Sequence, residues 1–459
     1  MSFLYPIPTT SSINLQHILT DPTGSRTGQL ACANASRASM RTALKRCSSV
    51  KYSGGETDWM KTIKAIEDYL PHLLGLTKAI ESDKLLITNE PVFTWRSTLS
   101  SRRVSAPPRI SLSSFHFELS FVLFSLALSI SNNAHSISAS IGSYELGTEQ
   151  DRQSGDFKLS QAVEALCRAS GLLDHLSQSI LPNWENQHSD GIVNLRSIRP
   201  PELSRESTAG LAQLTLADAE KFAIRRLLSR ASMELHNSPG SGIPKSHPSP
   251  LLLAKLELNI SKLYSNCKDC FKLSTGFTEL TGSIKEYVYD QSVLSLARAY
   301  KWLAVDVGEK LGKFGEAIGW CQLAKDVLKE LIGSTKKSTL VIRNRSITSN
   351  RADRKSKIES ELDQLDNFLK VYERLNRTVT FETVPSSTNL LLKVPEGRSA
   401  LNPKSFNLSS IPIPSSINYN NINSNKNSSN YQDDDSDDEE YNLNPNQNNL
   451  DYALKDTYY

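Results

Sequence analysis

Residues 293–331 read VLSLARAYKWLAVDVGEKLGKFGEAIGWCQLAKDVLKEL, and this stretch decides the fold class. Val293, Leu296, Tyr300, Leu303 and Val307 fall at spacings of three and four, which stacks them on one face of a helix. Ala317, Cys321, Ala324, Leu328 and Leu331 repeat the pattern in a second helix. Between them Gly308, Gly312 and Gly315 mark a turn that needs backbone freedom. Two one-sided helices joined this closely must fold back on each other. The small residues Ala297, Ala299, Ala304, Ala317 and Ala324 allow the close approach seen in solenoids of helix pairs. The hairpin carries no constellation for chemistry, so a scaffold is the first expectation.

Working outward, candidate helices run over 37–46, 59–80, 114–140, 157–181, 204–235, 250–271, 283–310, 315–332 and 352–376. The fold class expected is therefore all-α, with minor extended segments at the N-terminus and near the end. Residues 1–30 are polar, with Pro6 and Pro8, and suit an extended segment laid on the surface. Loops are expected at 102–109, 236–250 and, in a basic stretch, at 336–357. After Asn376 the prolines Pro385, Pro395 and Pro403 oppose helix and favour an extended strap, anchored by Leu390, Leu391, Leu392 and Val394. Residues 407–459 contain 13 Asn and the run DDDSDDEE. Such a composition cannot bury enough apolar surface to offset its ordering entropy, so a disordered, Asn-rich acidic tail is expected after a domain spanning 1–406.

With 459 residues and 38% hydrophobic content the chain can build a large core. Its net charge of +3 hides an asymmetry: residues 431–459 hold nine acids against one lysine, net −8, which leaves the remainder near +11. A basic body prefers acidic partners, and charge alone does not choose among an acidic helix, a membrane face and nucleic acid. The six cysteines are scattered and suit a reducing compartment. Cys267 and Cys270 form one C-x-x-C on a helical pattern without further zinc ligands, so they read as structural. The start MSFLYPIPTT lacks the basic and apolar regions of a signal peptide. The apolar run 115–130 contains His116 and Glu118 and is shorter than a membrane span, which predicts a buried helix.

Motifs for catalysis are absent from the sequence: there is no phosphate-binding glycine loop, no H-E-x-x-H and no G-x-S-x-G elbow. Carboxylate pairs such as Asp433 and Asp434 lie in the tail, where burial cannot tune them. No enzyme, catalytic residue, cofactor or metal site is expected. The basic stretch 336–357 lacks the aromatics that single-stranded nucleic acids stack on, so contact with anionic membrane suits it better than nucleic acid.

Several segments, in order, resemble the Bro-type domain of ALIX and its relatives, helical adaptors of endosomal sorting. They are DWMKTIKAIEDYLPHL (58–73), PVFTWRS (91–97), FHFELSFVLFSLALSISNNA (115–134), AVEALCRASGLLDHL (162–176), LAQLTLADAEKFA (211–223), the hairpin with its FGEAI, and VTFETVP (379–385). The resemblance covers most of 1–406 and implies a boomerang-shaped helical solenoid with tetratricopeptide-like hairpins. Larger members continue well past the strap; this chain ends in an Asn-rich tail, which resembles a fungal branch that regulates the response to ambient pH. That resemblance implies a non-enzymatic adaptor of alkaline pH signalling. Such an adaptor is cytoplasmic, is recruited peripherally to endosomal or cortical membranes, binds the C-terminal amphipathic helix of an ESCRT-III subunit, and acts towards proteolytic activation of a transcription factor. A general helical-repeat scaffold in endosomal sorting is the alternative.

Alignment of LLLAKLELN (251–259) on the family's groove helix implies that Leu252 and Leu256 contact the partner helix, with Phe222 from the preceding helix. Leu252 and Leu256 are i and i+4, hence on one face, or else simply core. Arg225, Arg226 and Lys255 nearby would favour an acidic partner.

Overall fold

The computed structural model describes residues 2–53, 58–100, 107–187, 199–237, 244, 246–274, 280–337 and 345–413. In chain order the elements are α1 (Leu15–Ile18), β1 (Leu19–Thr20), α2 (Thr27–Ser53), α3 (Trp59–Glu81), β2 (Leu86–Ile87), β3 (Val92–Arg96), β4 (Arg109–Ser113) and α4 (Phe115–Ser140). There follow α5 (Glu149–His175), a π-helical turn (Leu176–Ile180), α6 (Leu181–Gln187), α7 (Arg205–Asn237), α8 (Pro250–Leu273), α9 (Gly282–Leu311), α10 (Phe314–Lys337), α11 (Arg345–Leu375) and α12 (Ser387–Leu391). The fold is all-α, with each long helix packed mainly on its sequence neighbours.

The opening hairpin is α9 and α10. All five stripe residues of α10, from Ala317 to Leu331, are buried, and Tyr300 and Leu303 of α9 meet them while Val293, Leu296 and Val307 are half-buried. The three glycines do different work. Gly312 caps α9 in the left-handed region at φ 65°. Gly308 and Gly315 are helical and instead let other chain segments approach: the Tyr372 ring lies against Gly308, and the Glu382–Thr383 main chain against Gly315.

α4 is long and apolar enough to span a membrane by length and composition, yet it is packed inside the fold. Glu118, in its first turn, is the hub of a buried network. It accepts from Arg37 Nε (2.9 Å), Trp95 Nε1 (2.6 Å) and the Tyr69 hydroxyl (3.3 Å), while Arg37 also donates to Thr10 and to the Ser11 carbonyl. One carboxylate thus ties α2, α3, the β3–β4 hairpin and the N-terminal segment together.

Several element boundaries differ from expectation. The hairpin pairing Val92↔Ser113 through Arg96↔Arg109 was not expected, although Phe93 and Trp95 alternate inward as a strand requires. α2 starts at Thr27 instead of 37, and α5 at Glu149 instead of 157, because Thr148 and Asp151 form a capping box. The basic stretch 336–357 is not a loop throughout: α10 runs to Lys337 and α11 starts at Arg345, with 338–344 outside the described residues. Most of the 102–109 and 236–250 loops also lies outside them. The strap holds a short helix, α12, which Ser386 caps. Of its expected anchors Leu390 is buried and Val394 packs on the second core, but Leu391 and Leu392 face solvent because α12 presents only one side to α10. Packing continues past 406, where Leu408 and Ile411 rest on the first core; the expected disordered tail from 414 lies outside the described residues. Cys267 is buried and Cys270 half-buried, and burial pushes both thiols up.

Candidate partner-helix groove

α7 and α8 run antiparallel, and their register is fixed by Asn259, whose side-chain amide donates to Glu220 Oε1 (3.0 Å) and Oε2 (2.9 Å). The strap crosses the seam at this point. Arg398 N–H donates to the Lys255 carbonyl (2.9 Å), Gly397 lies against the Asn259 main chain, and Ser399 Oγ and Ala400 N–H both donate to Glu220 Oε1. Burial pushes the Glu220 carboxyl up, against the pull of these donors. Further along, Lys404 N–H donates to the Cys167 carbonyl (2.9 Å), Lys404 Nζ pairs with Glu164, and the Phe406 ring meets His175. The strap therefore crosses α8, α7 and α5 in turn.

Seven residues, two turns, from Glu220 along α7 comes Leu227; seven residues back from Asn259 along α8 comes Leu252. Antiparallel register places the two at the same level, about 10 Å along the helices from the Glu220–Asn259 pair. On α5, Ser160 accepts from the Arg226 guanidinium and Asp156 accepts from Ser229 Oγ (3.1 Å), which brings Phe157 of α5 to the level of Leu227 and Ser229 on α7. Phe157 is 65% exposed and Leu227 43%; Leu251 is exposed and Leu252 half-buried. Arg226 and Arg230 stand exposed among them.

The residues expected to form the groove thus divide. Leu252 and Arg226 lie on the row, and half-buried Lys255 sits beneath the strap crossing. Phe222 and Leu256 are only 2% and 3% exposed and belong to the first core, because they face inward on their helices; they back the groove instead of lining it. Arg225 is committed elsewhere: its guanidinium pairs with Glu145 and lies over the Tyr144 ring, clamping α7 to the turn before α5. Phe157 and Leu227 were missed by the sequence reading. The available signal was phase: Phe157 lies off the Gly155–Leu159–Ala162–Leu166 stripe, and Leu227 one position before Leu228 and Ala231.

An apolar row with guanidinium groups at its edge suits an amphipathic helix with an acidic flank. Among the described residues no group of three or more His, Cys, Asp or Glu is placed to hold a metal ion.

Comparison with known proteins agrees with this architecture. Residues 33–431 match the BRO1-like domain. The pH-response regulator protein palC of Cryptococcus neoformans var. neoformans serotype D is 32% identical over 91% of this chain and 93% of its own length. The palC of Emericella nidulans is 23% identical over 88% of each. Among solved structures, the ALIX BRO1 domain in an "ALIX BRO1 CHMP4C complex" superposes with a TM-score of 0.58 at 14% identity, covering 88% of this chain and 96% of that one. A structure described as the basis for endosomal targeting by the Bro1 domain gives 0.54 at 16% identity, covering 90% and 95%. The ordered helical motifs, the strap folded back over them and the family match over most of the sequence together make this chain a member of the BRO1-like domain family.

Proposed function

We propose that this chain is a non-enzymatic adaptor of the ambient alkaline pH response, and that the row Phe157–Leu227–Leu252 receives the C-terminal amphipathic helix of an ESCRT-III subunit. The observation that carries the reading is the exposed apolar row beside the strap, with Arg226 and Arg230 at its edge. Its support from relatives is twofold: two similar proteins are named pH-response regulators, and a structural neighbour is a complex of a BRO1 domain with CHMP4C. Lys255, Phe222 and Leu256 support the row from below, and Arg225 holds α7 in place. In this reading the adaptor brings pH-signalling components to endosomal or cortical membranes, where a pH-responsive transcription factor is proteolytically activated. The domain comprises the helices and strap, and the acidic tail lies outside it.

Burying two or three such side chains stabilises a complex by about 1.5–3 kcal/mol each before ordering costs, which suits reversible recruitment. The test is titration of the labelled ESCRT-III C-terminal helix with the full chain and with Leu227→Asp and Leu252→Asp. At least about tenfold weaker binding, with the helical circular dichroism intact, is expected from each. Wild-type affinity in both variants would remove the groove from this row.

A further inference from the structure

The chain from Val379 to Leu392 carries apolar side chains that the two cores leave outside. Leu392 is 88% exposed, Phe381 75% and Val379 64%, with Val384 and Leu391 beside them. The segment is folded tightly onto the first two turns of α10: Glu382 and Thr383 press on Gly315, and Val384, Pro385 and Leu390 on Gly319. Its shape is built, because the Phe381 N–H donates to the Asn376 carbonyl (2.8 Å), and the Asn376 side chain brackets Glu382, accepting from its N–H and donating to its carbonyl (2.9 Å each). That turn holds Phe381 at φ 54°, a left-handed conformation that a bulky residue adopts only against its own preference. Strain at this position delivers a large aromatic ring to solvent.

The charges around the turn are unequal in their commitments. Of the acids, Glu316 pairs with Lys393 (3.0 Å), Glu382 and Glu309 are turned onto uncharged donors of the fold, the Gly315 N–H (2.9 Å) and the Tyr372 hydroxyl (3.3 Å), and Glu373 is half-buried. Lys313, Arg374 and Arg377 are exposed and make no ion pair among the described residues. Uncommitted cations beside protruding apolar side chains complement an anionic lipid surface, where the ring and aliphatic groups enter the headgroup boundary and the cations meet phosphate. A protein partner would have to supply a separate packed pocket for each of these side chains, whereas a bilayer takes protruding groups without one.

We propose that the 379–392 turn is a peripheral docking site for anionic phospholipid, with Phe381 and Leu392 as the inserted groups and Lys313, Arg374 and Arg377 as the headgroup contacts. The site is separate from the α5–α7–α8 row and does not depend on it. The experiment is sedimentation of the full chain with phosphatidylcholine vesicles, with and without phosphatidylserine, at low and physiological salt. Binding is expected only with phosphatidylserine, weakening as salt rises. The double variant Phe381→Ser/Leu392→Ser should bind about tenfold more weakly, and Lys313→Glu/Arg377→Glu should lose about fivefold per charge. Leu273→Ser, at a site as exposed as Phe381 but on the end of α8, should bind as wild type does. No sedimentation of wild type with phosphatidylserine vesicles, or equal losses in the Leu273 and Phe381/Leu392 variants, would overturn the proposal.

Discussion

The main chain of Lys404 passes so close to Gly171 that a β-carbon at position 171 would overlap the Lys404 carbonyl oxygen. Gly171 lies inside α5 with ordinary helical backbone, so its lack of a side chain serves the strap and not a turn.

Gly171→Ala isolates that contact. Alanine is the better helix former by about 1 kcal/mol, so α5 alone would gain. The strap must instead lift from α5, breaking the Lys404 N–H bond to Cys167. A net loss of about 1–3 kcal/mol is expected in denaturant unfolding, with faster proteolysis between 392 and 406. Unchanged proteolysis would mean that the strap shifts without detaching.

Glu361 of α11 receives Lys301 Nζ (2.7 Å) and Arg298 Nε (2.6 Å) from α9. Burial works against its charge, but these cations prevail and hold its carboxyl down at about 2. A depressed folded value gives stability that is complete above the unfolded value near 4.3 and is lost as pH falls from there towards 2. Glu361→Gln should therefore cost about 3 kcal/mol at neutral pH, and the deficit should shrink through that window. Urea unfolding of both proteins at several pH values between 7 and 2.5 checks this; a constant difference would place the loss in packing instead.

Glu257, buried in α8 near the same cluster, behaves in the opposite sense. Burial pushes its carboxyl up, and its Oε2 has no hydrogen-bond partner among the described residues. A raised folded value means that folding penalises the ionised form, so stability from this group is present at low pH and is lost as pH rises past the unfolded value. Glu257→Gln should stabilise the protein by about 1 kcal/mol at neutral pH, with the gain vanishing below about pH 4. Destabilisation at pH 7 would show that Arg298 and Lys301 rely on this carboxylate.

The helices were legible because each buries a stripe at helical spacing. Ala317, Cys321, Ala324, Leu328 and Leu331 are read as a face in sequence and are all buried in space. Helix starts were less so: Glu149–Asp156 is polar apart from its capping box, and capping is a shorter signal than periodicity. The β3–β4 hairpin escaped because its strands are separated by 12 residues and each is only five long. The groove was the least legible part. Phe222 and Leu252 look alike in sequence, and only the packing of α7 and α8 decides that the first faces the core and the second the seam. An apolar residue advertises burial, so an exposed one such as Phe157 or Leu227 is recognised only by being out of phase with its own helix.

The first residues of the chain are held by late ones. Tyr5 exchanges two main-chain hydrogen bonds with the Asn132 side chain (2.8 Å each), and Phe3 N–H donates to Asp218 (3.0 Å), which also accepts from Tyr264 and Tyr287. A ribosome delivers these partners long after the N-terminus has emerged. Closing loops of this length is slow relative to forming any one helix, so helices condense early while the leading segment waits for its dock. The dock for Phe3 is complete only once Tyr264 of α8 and Tyr287 of α9 have joined Asp218 of α7.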